Sequence, residues 1–297
     1  MRIAYAGTAR FGALVLERLL ACRGHQIELV VTRPDRPRGR HGTPQPSPVK
    51  ETALAAGLPV FQPERLCDAG ADQVVDAGLG ALVVCAFGEI LGESLLERVT
   101  TLVVHPSSLP KWRGPAPVER ALMAGETQLG VTVLRMTTEV DGGPIGRART
   151  VHVPREADAG TAFELLADPA CEAVTETLDG LEQGSFVWQS QVGEPTYAPK
   201  LERADREIDW SRPATEIVDR IRALSPKVGA RTTLRGRPLT IWRARVLETP
   251  AAEGAAERLV VPAGEGHVEA LEVQAPGGRR QETAAFLRGA GRWLVDQ

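Results

Sequence analysis

No apolar run in the 297 residues approaches the length of a bilayer span, so the chain reads as a soluble globular protein with no membrane segment. Its opening, Met-Arg-Ile-Ala-Tyr-Ala, lacks the long apolar stretch of a secretory signal and leads straight into a glycine turn. Cysteine is sparse: Cys22, Cys67, Cys85 and Cys171 are scattered, none in a Cys-x-x-Cys pair, and Cys85 sits inside an apolar run. That usage argues for a reduced, cytoplasmic protein without a structural metal. The first turn holds only Gly7 and Gly12, too few for G-x-G-x-x-G, so a dinucleotide site is not supported. Internal repeats and low-complexity tracts are missing as well.

What is present, at this length, points to two domains or to one large domain with an appendage, and a hydrophobic content of 43% suits a globular chain. The net charge of −3 is unevenly spread. Residues 1–199 carry 18 Lys/Arg against 24 Asp/Glu (−6), and residues 200–297 carry 17 against 14 (+3). A basic C-terminal part on an acidic body is compatible with a polyanionic substrate.

Apolar periodicity predicts a strand at residues 2–6, a helix at 11–20 and a second strand at 26–32. This β-α-β opening argues for a parallel sheet. Residues 33–47 form a long polar loop with five prolines or arginines in its first six positions, which favours an anion. Ser47-Pro48 then reads as a helix cap and first helical residue. Further strands are expected at 81–86, 102–104 and 130–136, and helices at 93–98 and 117–124. A long helix at 161–178, capped by Thr161, should break or kink at Pro169. Residues 184–201 suit a linker. Beyond them an amphipathic helix at 213–224 and β-like runs at 239–246, 258–261, 268–273 and 282–287 suggest a small β-barrel.

The stretch Leu102-Val-Val-His105-Pro-Ser-Ser-Leu-Pro-Lys-Trp-Arg-Gly114 carries the most chemical information. Here an apolar strand runs into a Pro/Ser/Gly loop, where an open α/β sheet places its reactive groups. Together with several other fragments it resembles the methionyl-tRNA formyltransferase family. These are Ala6-Gly7-Thr8, Pro34-Asp35-Arg36-Pro37 with Gly39-Arg40, Pro46-Ser-Pro-Val-Lys50, Asp141-Gly-Gly-Pro144, Thr196-Tyr-Ala-Pro-Lys-Leu201, Ile208-Asp-Trp210 and Ile241-Trp-Arg-Ala244.

The resemblance covers nearly the whole chain. It implies an α/β fold, a Rossmann-like open and mostly parallel sheet, followed by an OB-like β-barrel. The implied domains are a catalytic body at 1–184, a linker at 185–202 and a tRNA-binding domain at 203–297. The implied activity is transfer of a formyl group from 10-formyltetrahydrofolate to the amino group of methionyl initiator tRNA, by a cytoplasmic monomer that needs no metal. His105 and Asp141, 36 positions apart, match catalytic positions and would meet at adjacent strand ends.

By the same resemblance Phe87, Gly88, Glu89, Ile90 and Leu91, with Ser107, Ser108, Leu109 and Pro110, line the folate site, and Arg36, Arg38 and Arg40 face tRNA. The family's asparagine position is Val103, which has neither donor nor acceptor and implies impaired turnover. Ser108 likewise stands where the family has leucine, and Glu139-Val140 where Gly-Leu is usual. A formyltransferase acting on a nucleotide-linked amino sugar, and a silent folate- or tRNA-binding homologue, remain open alternatives.

Overall fold

The computed structural model describes residues 1–37, 42–66, 69–89, 91–184, 186–249 and 258–294. These form two compact units, one from Met1–Pro115, Leu129–Val151 and Phe163–Ala198, the other from Ala116–Gln128, His152–Ala162 and Pro199–Gln297.

In the first unit β1 (Arg2–Gly7), α1 (Arg10–Ala21) and β2 (Gln26–Val31) realise the expected opening. Ile3 to Ala6 are fully buried, the continuous apolar run of a strand covered on both faces. The polar loop is not structureless. It carries a short ladder, β3 (Arg36–Pro37) against β4 (Pro44–Gln45), and Lys50 donates to Asp35 at 2.7 Å while Gln62 donates to it at 2.8 Å. Two motif fragments thus meet through one carboxylate. As expected, Ser47 caps α2 (Pro48–Ala55), its hydroxyl accepting the Lys50 N–H at 3.0 Å.

The chain continues through β5 (Val60–Phe61), α3 (Ala69–Asp76), β6 (Ala81–Cys85), α4 (Glu93–Arg98), β7 (Thr101–His105), α5 (Pro117–Met123), β8 (Gln128–Arg135), β9 (Ile145–His152) and α6 (Ala159–Glu182). The sheet order is β5-β2-β1-β6-β7-β8-β9, parallel from β5 to β7, with β8 antiparallel to β7. Strand order reverses at β1/β6, the switch point where such sheets open a crevice. Gly7 and Gly12 are required there: a Cβ on either would lie 2.8 or 2.6 Å from the Cys85 carbonyl oxygen.

In this region the expected break at Pro169 does not occur, and the expected cap is a different residue. Pro169 lies inside α6 without ending it, because Leu166, Ala170, Val174 and Leu178 are buried on both sides of it and their packing offsets the lost hydrogen bond. Thr161 is not the cap; its N–H donates to the Asp158 carboxylate at 2.8 Å, so Asp158 serves.

The second unit, to which α5 also belongs, adds α7 (Ala214–Leu224), β10 (Ala230–Leu234), β11 (Arg237–Leu247), β12 (Leu259–Pro262), β13 (His267–Gln274), β14 (Gln281–Glu282) and α8 (Thr283–Arg288). The strands form an antiparallel sheet, β10-β11-β13-β12 with β14 on β13, so the expected barrel is realised as a half-barrel. Ile217, Ile221 and Leu224 of α7 join Ile241, Val268, Val273 and Phe286 in its core. The strand expected at 282–287 is instead α8. Ala, Leu and Arg favour a helix, and Thr283, Phe286 and Leu287 form its buried face. No described helix is long and apolar enough to cross a membrane.

Candidate active site

The last residue of β7, His105, leaves the sheet at its carboxyl edge. Residues two apart share a strand face, so Val103 and His105 point the same way. His105 lies opposite Thr132 of β8 in the register. The fully buried Thr132 donates to the Ser107 carbonyl at 2.7 Å and accepts the Leu109 N–H at 3.3 Å, fixing the loop that follows His105.

The imidazole is held from two sides. Nε2 lies 2.8 Å from the Trp112 carbonyl oxygen and Nδ1 lies 3.5 Å from Asp141 Oδ1. Trp112 and Asp141 both have left-handed backbones, φ +62° and +50°. Such backbones are costly for non-glycine residues and cluster at functional sites. The second Asp141 oxygen accepts the Gly114 N–H at 2.8 Å. The two side chains are 6% and 15% exposed, so the pair is well shielded from water.

Asp141 does not arrive from an adjacent strand end, as the sequence suggested. β8 is antiparallel and its last residue, Arg135, sits beside Leu102. The loop leaving it must therefore fold back along the sheet to reach His105. Gly143 makes that path feasible, since a Cβ there would lie 1.9 Å from the Arg135 carbonyl oxygen.

A second layer holds this loop, and sequence reasoning missed most of it. Buried Arg113 donates to Glu139 at 2.5 Å and to the Gln191 side-chain oxygen at 2.8 and 3.1 Å. Gln191 in turn donates to the main-chain oxygens of Asp141 and Gly143 at 2.7 and 2.9 Å. Gln191 lies in a polar stretch that reads as linker, and no local pattern marks it.

Burial pushes the His105 pKa below its ordinary value of 6.5, while the Asp141 charge and the Trp112 carbonyl pull the other way. In the neutral form that burial favours, Nε2–H donates to Trp112 and a bare Nδ1 faces the carboxylate. A proton arriving at Nδ1 gives both ring N–H groups acceptors. The arrangement can accommodate either the neutral or the protonated ring.

The other expected residues are distributed as follows. Phe87 and Leu91 have buried side chains in the core cluster. The Phe87 carbonyl accepts from the Thr8 hydroxyl at 3.1 Å, the Gly88 carbonyl from Arg33 at 3.4 Å, and the Glu89 carboxylate from the Leu66 N–H at 2.7 Å. Ser107 donates to the Lys111 carbonyl at 2.6 Å; Ser108 is exposed, Leu109 is buried, and the Pro110 carbonyl accepts the Thr196 N–H at 3.2 Å. Arg36 is exposed on β3. Arg38, Arg40 and Ile90 lie outside the described residues. His25, Asp179 and Glu182 bring donor atoms within 4.8 Å of one another, but His25 already meets Asp179 at 3.1 Å and Glu182 meets the N-terminal amine at 3.0 Å.

An open α/β body with an imidazole–carboxylate pair at its carboxyl edge, joined to an antiparallel half-barrel, has the architecture of a two-domain group transferase. The chain belongs to the formyl transferase family, matching the formyl transferase model over residues 1–178 and the formyl transferase C-terminal domain over residues 200–291. It is 41% identical over 263 residues to a methionyl-tRNA formyltransferase of Heliobacterium modesticaldum, covering 86% of this chain and 83% of that protein. With the methionyl-tRNA formyltransferase of Chromobacterium violaceum it shares 40% over 298 residues, 97% of this chain and 96% of the relative.

Among solved structures, HypX from Aquifex aeolicus in complex with tetrahydrofolic acid superposes with a TM-score of 0.68 at 22% identity. That match covers 97% of this chain, which spans about half, 47%, of HypX. Methionyl-tRNA formyltransferase from Clostridium thermocellum matches with a TM-score of 0.58 at 16% identity, over 84% of this chain and 95% of that one. At these identities the structural likeness concerns the fold.

Proposed function

We propose that this chain transfers the formyl group of 10-formyltetrahydrofolate to the α-amino group of methionine on initiator tRNA. The observation that carries the reading is the His105–Asp141 pair, set 3.5 Å apart at the carboxyl edge of the sheet. Likeness over almost the full length to relatives named for this activity supports it.

The reaction is acyl transfer to a neutral amine. The amine nitrogen attacks the formyl carbon, an oxyanion develops, the nitrogen loses a proton, and the folate nitrogen leaves. His105, neutral at rest, takes the proton, and Asp141 stabilises the imidazolium that results. The positive ring then faces the developing oxyanion. Val103 adds no donor on that strand face, and a missing oxyanion donor costs about 10²–10³ in rate. Turnover is accordingly slow.

In this reading, main-chain groups of residues 87–91 and 107–110 hold the folate, and Arg36, Arg38 and Arg40 meet the acceptor end of tRNA. Residues 1–184 are the catalytic body, 185–202 the linker and 203–297 the tRNA-binding domain. The chain works as a cytoplasmic monomer, with no step that needs a metal. The excess of positive charge at 200–297 suits a polyanion better than a nucleotide-linked amino sugar.

The test is incubation with 10-formyltetrahydrofolate and charged initiator tRNA. Formyl-methionine recovered from the tRNA is the expected result. No product at high enzyme concentration, with folate and tRNA both bound, would establish the silent-homologue reading instead.

A further inference from the structure

Two cysteines 149 positions apart in sequence bring their sulfurs to 3.1 Å. Cys22 is exposed and ends α1, and its N–H is fixed by the Arg18 and Leu19 carbonyls, both at 3.2 Å. Cys171 is buried inside α6. The seam between these helices is independently tied: Arg18 meets Asp168 at 2.6 Å, Arg10 meets Glu164 at 3.2 Å, and the Phe11 and Phe163 rings lie 5.3 Å apart. A bonded pair needs ~2.05 Å between sulfurs, so a shift of about 1 Å closes the gap, within reach of side-chain rotation.

We propose that Cys22 and Cys171 are a redox-active dithiol that takes a low-molecular-weight disulfide as oxidant and closes into an intramolecular bond stapling α1 to α6. The roles follow from access. The exposed Cys22 sulfur attacks one sulfur of the small disulfide, breaking its S–S bond; the departing thiolate takes up the Cys22 proton and leaves as a thiol. Cys171 then attacks the Cys22 sulfur and expels the second small thiolate, which takes the Cys171 proton. Two protein thiols are oxidised and one disulfide is reduced to two thiols. Burial, reinforced by Cys22, pushes the Cys171 thiol up to about 12, which keeps it protonated and makes it the poorer entering nucleophile; its resolving role rests on its sulfur lying 3.1 Å from Cys22.

The dithiol lies away from the transfer chemistry. α1 returns from the carboxyl end of β1 to the amino end of β2, so Cys22 sits at the edge opposite His105. The inference stands whatever the chain transfers.

The full chain is reduced, freed of reductant, and incubated folded with glutathione disulfide. Peptide mapping should recover Cys22 joined to Cys171, with the protein lighter by two hydrogens. Its thermal midpoint should rise by roughly 5 °C, as expected for closing so long a loop. Cys22→Ser, an exposed change, should abolish the bond, and Cys67→Ser should leave it. Formyl transfer should stay within twofold on oxidation. A persistent glutathione adduct on Cys22, two surviving thiols, or a bond that forms only with a lowered midpoint would each overturn the proposal.

Discussion

The Gln191 side chain donates to the main-chain oxygen of Asp141 at 2.7 Å, across 50 positions of sequence. A residue from the segment read as linker therefore sets where the carboxylate loop sits, while Arg113 holds Gln191 from behind. Gln191→Ala should lower kcat by about ten- to a hundredfold while KM for the folate changes less than twofold, since small misplacements of reacting groups cost that much. Gln191→Glu keeps the acceptor for Arg113 but loses the donor, and should not rescue kcat. A lowered melting temperature with kcat intact would reduce Gln191 to a structural prop.

The His105–Asp141 pair predicts a pH dependence with a definite sign. Burial holds His105 below 6.5, so the acid limb of the rate profile should lie under that value. Asp141 raises the His105 pKa, so Asp141→Asn should move the limb lower still and cut the plateau by about 10²–10⁴. Stability follows the same linkage. The unfolded chain protonates first as pH falls, so stability is full above 6.5 and declines from there toward the depressed folded value. Transfer rates and melting curves across that range check both.

Val103→Asn should raise the transfer rate at least tenfold by restoring a donor on the face His105 occupies, given the usual ~10²–10³ value of one such group. Val103 is half-buried between Val84 and Leu134 in register, and the swap should cost under about 1 kcal/mol as a strand substitution. Single-turnover kinetics with matched melting curves would separate chemistry from fold; an unchanged rate would remove the oxyanion role from this position.

Ser47 serves two partners, capping α2 through the Lys50 N–H and meeting the buried Thr32 hydroxyl at 2.7 Å. Ser47→Ala should cost about 1–2 kcal/mol through the lost cap and the hydroxyl left unpaired. Denaturant titration reads the loss directly, and Ser47→Asp should recover most of the capping share.

The legible parts of the fold are those where a local pattern carries the physics. β1, α1 and β2 were readable from apolar runs and helical spacing, and Ser47-Pro48 from its cap. β9 escaped because Arg147 and Arg149 break its apolar pattern; they form ion pairs with Glu176 and Glu172 on α6. Pro169 misled for the opposite reason: a local breaker was overruled by packing along 24 helical residues. In the site, His105 and Asp141 stood out through the motif around them. Arg113 stood inside that motif with no role assigned to it, and Gln191 was not legible at all, because a glutamine in a polar stretch has no periodicity to betray it.

Cys22 and Cys171 mark the same boundary, as scattered cysteines in the sequence and neighbours in space. Taken alone, the order of residues dictated which segments would hide an apolar face and where helices would begin, since those depend on spacings of two to four positions. Folding in three dimensions settled which imidazole nitrogen meets the carboxylate, which amide steadies it and which thiols touch. Those partners are tens of positions apart, and whole layers must pack before either can exclude water from the other.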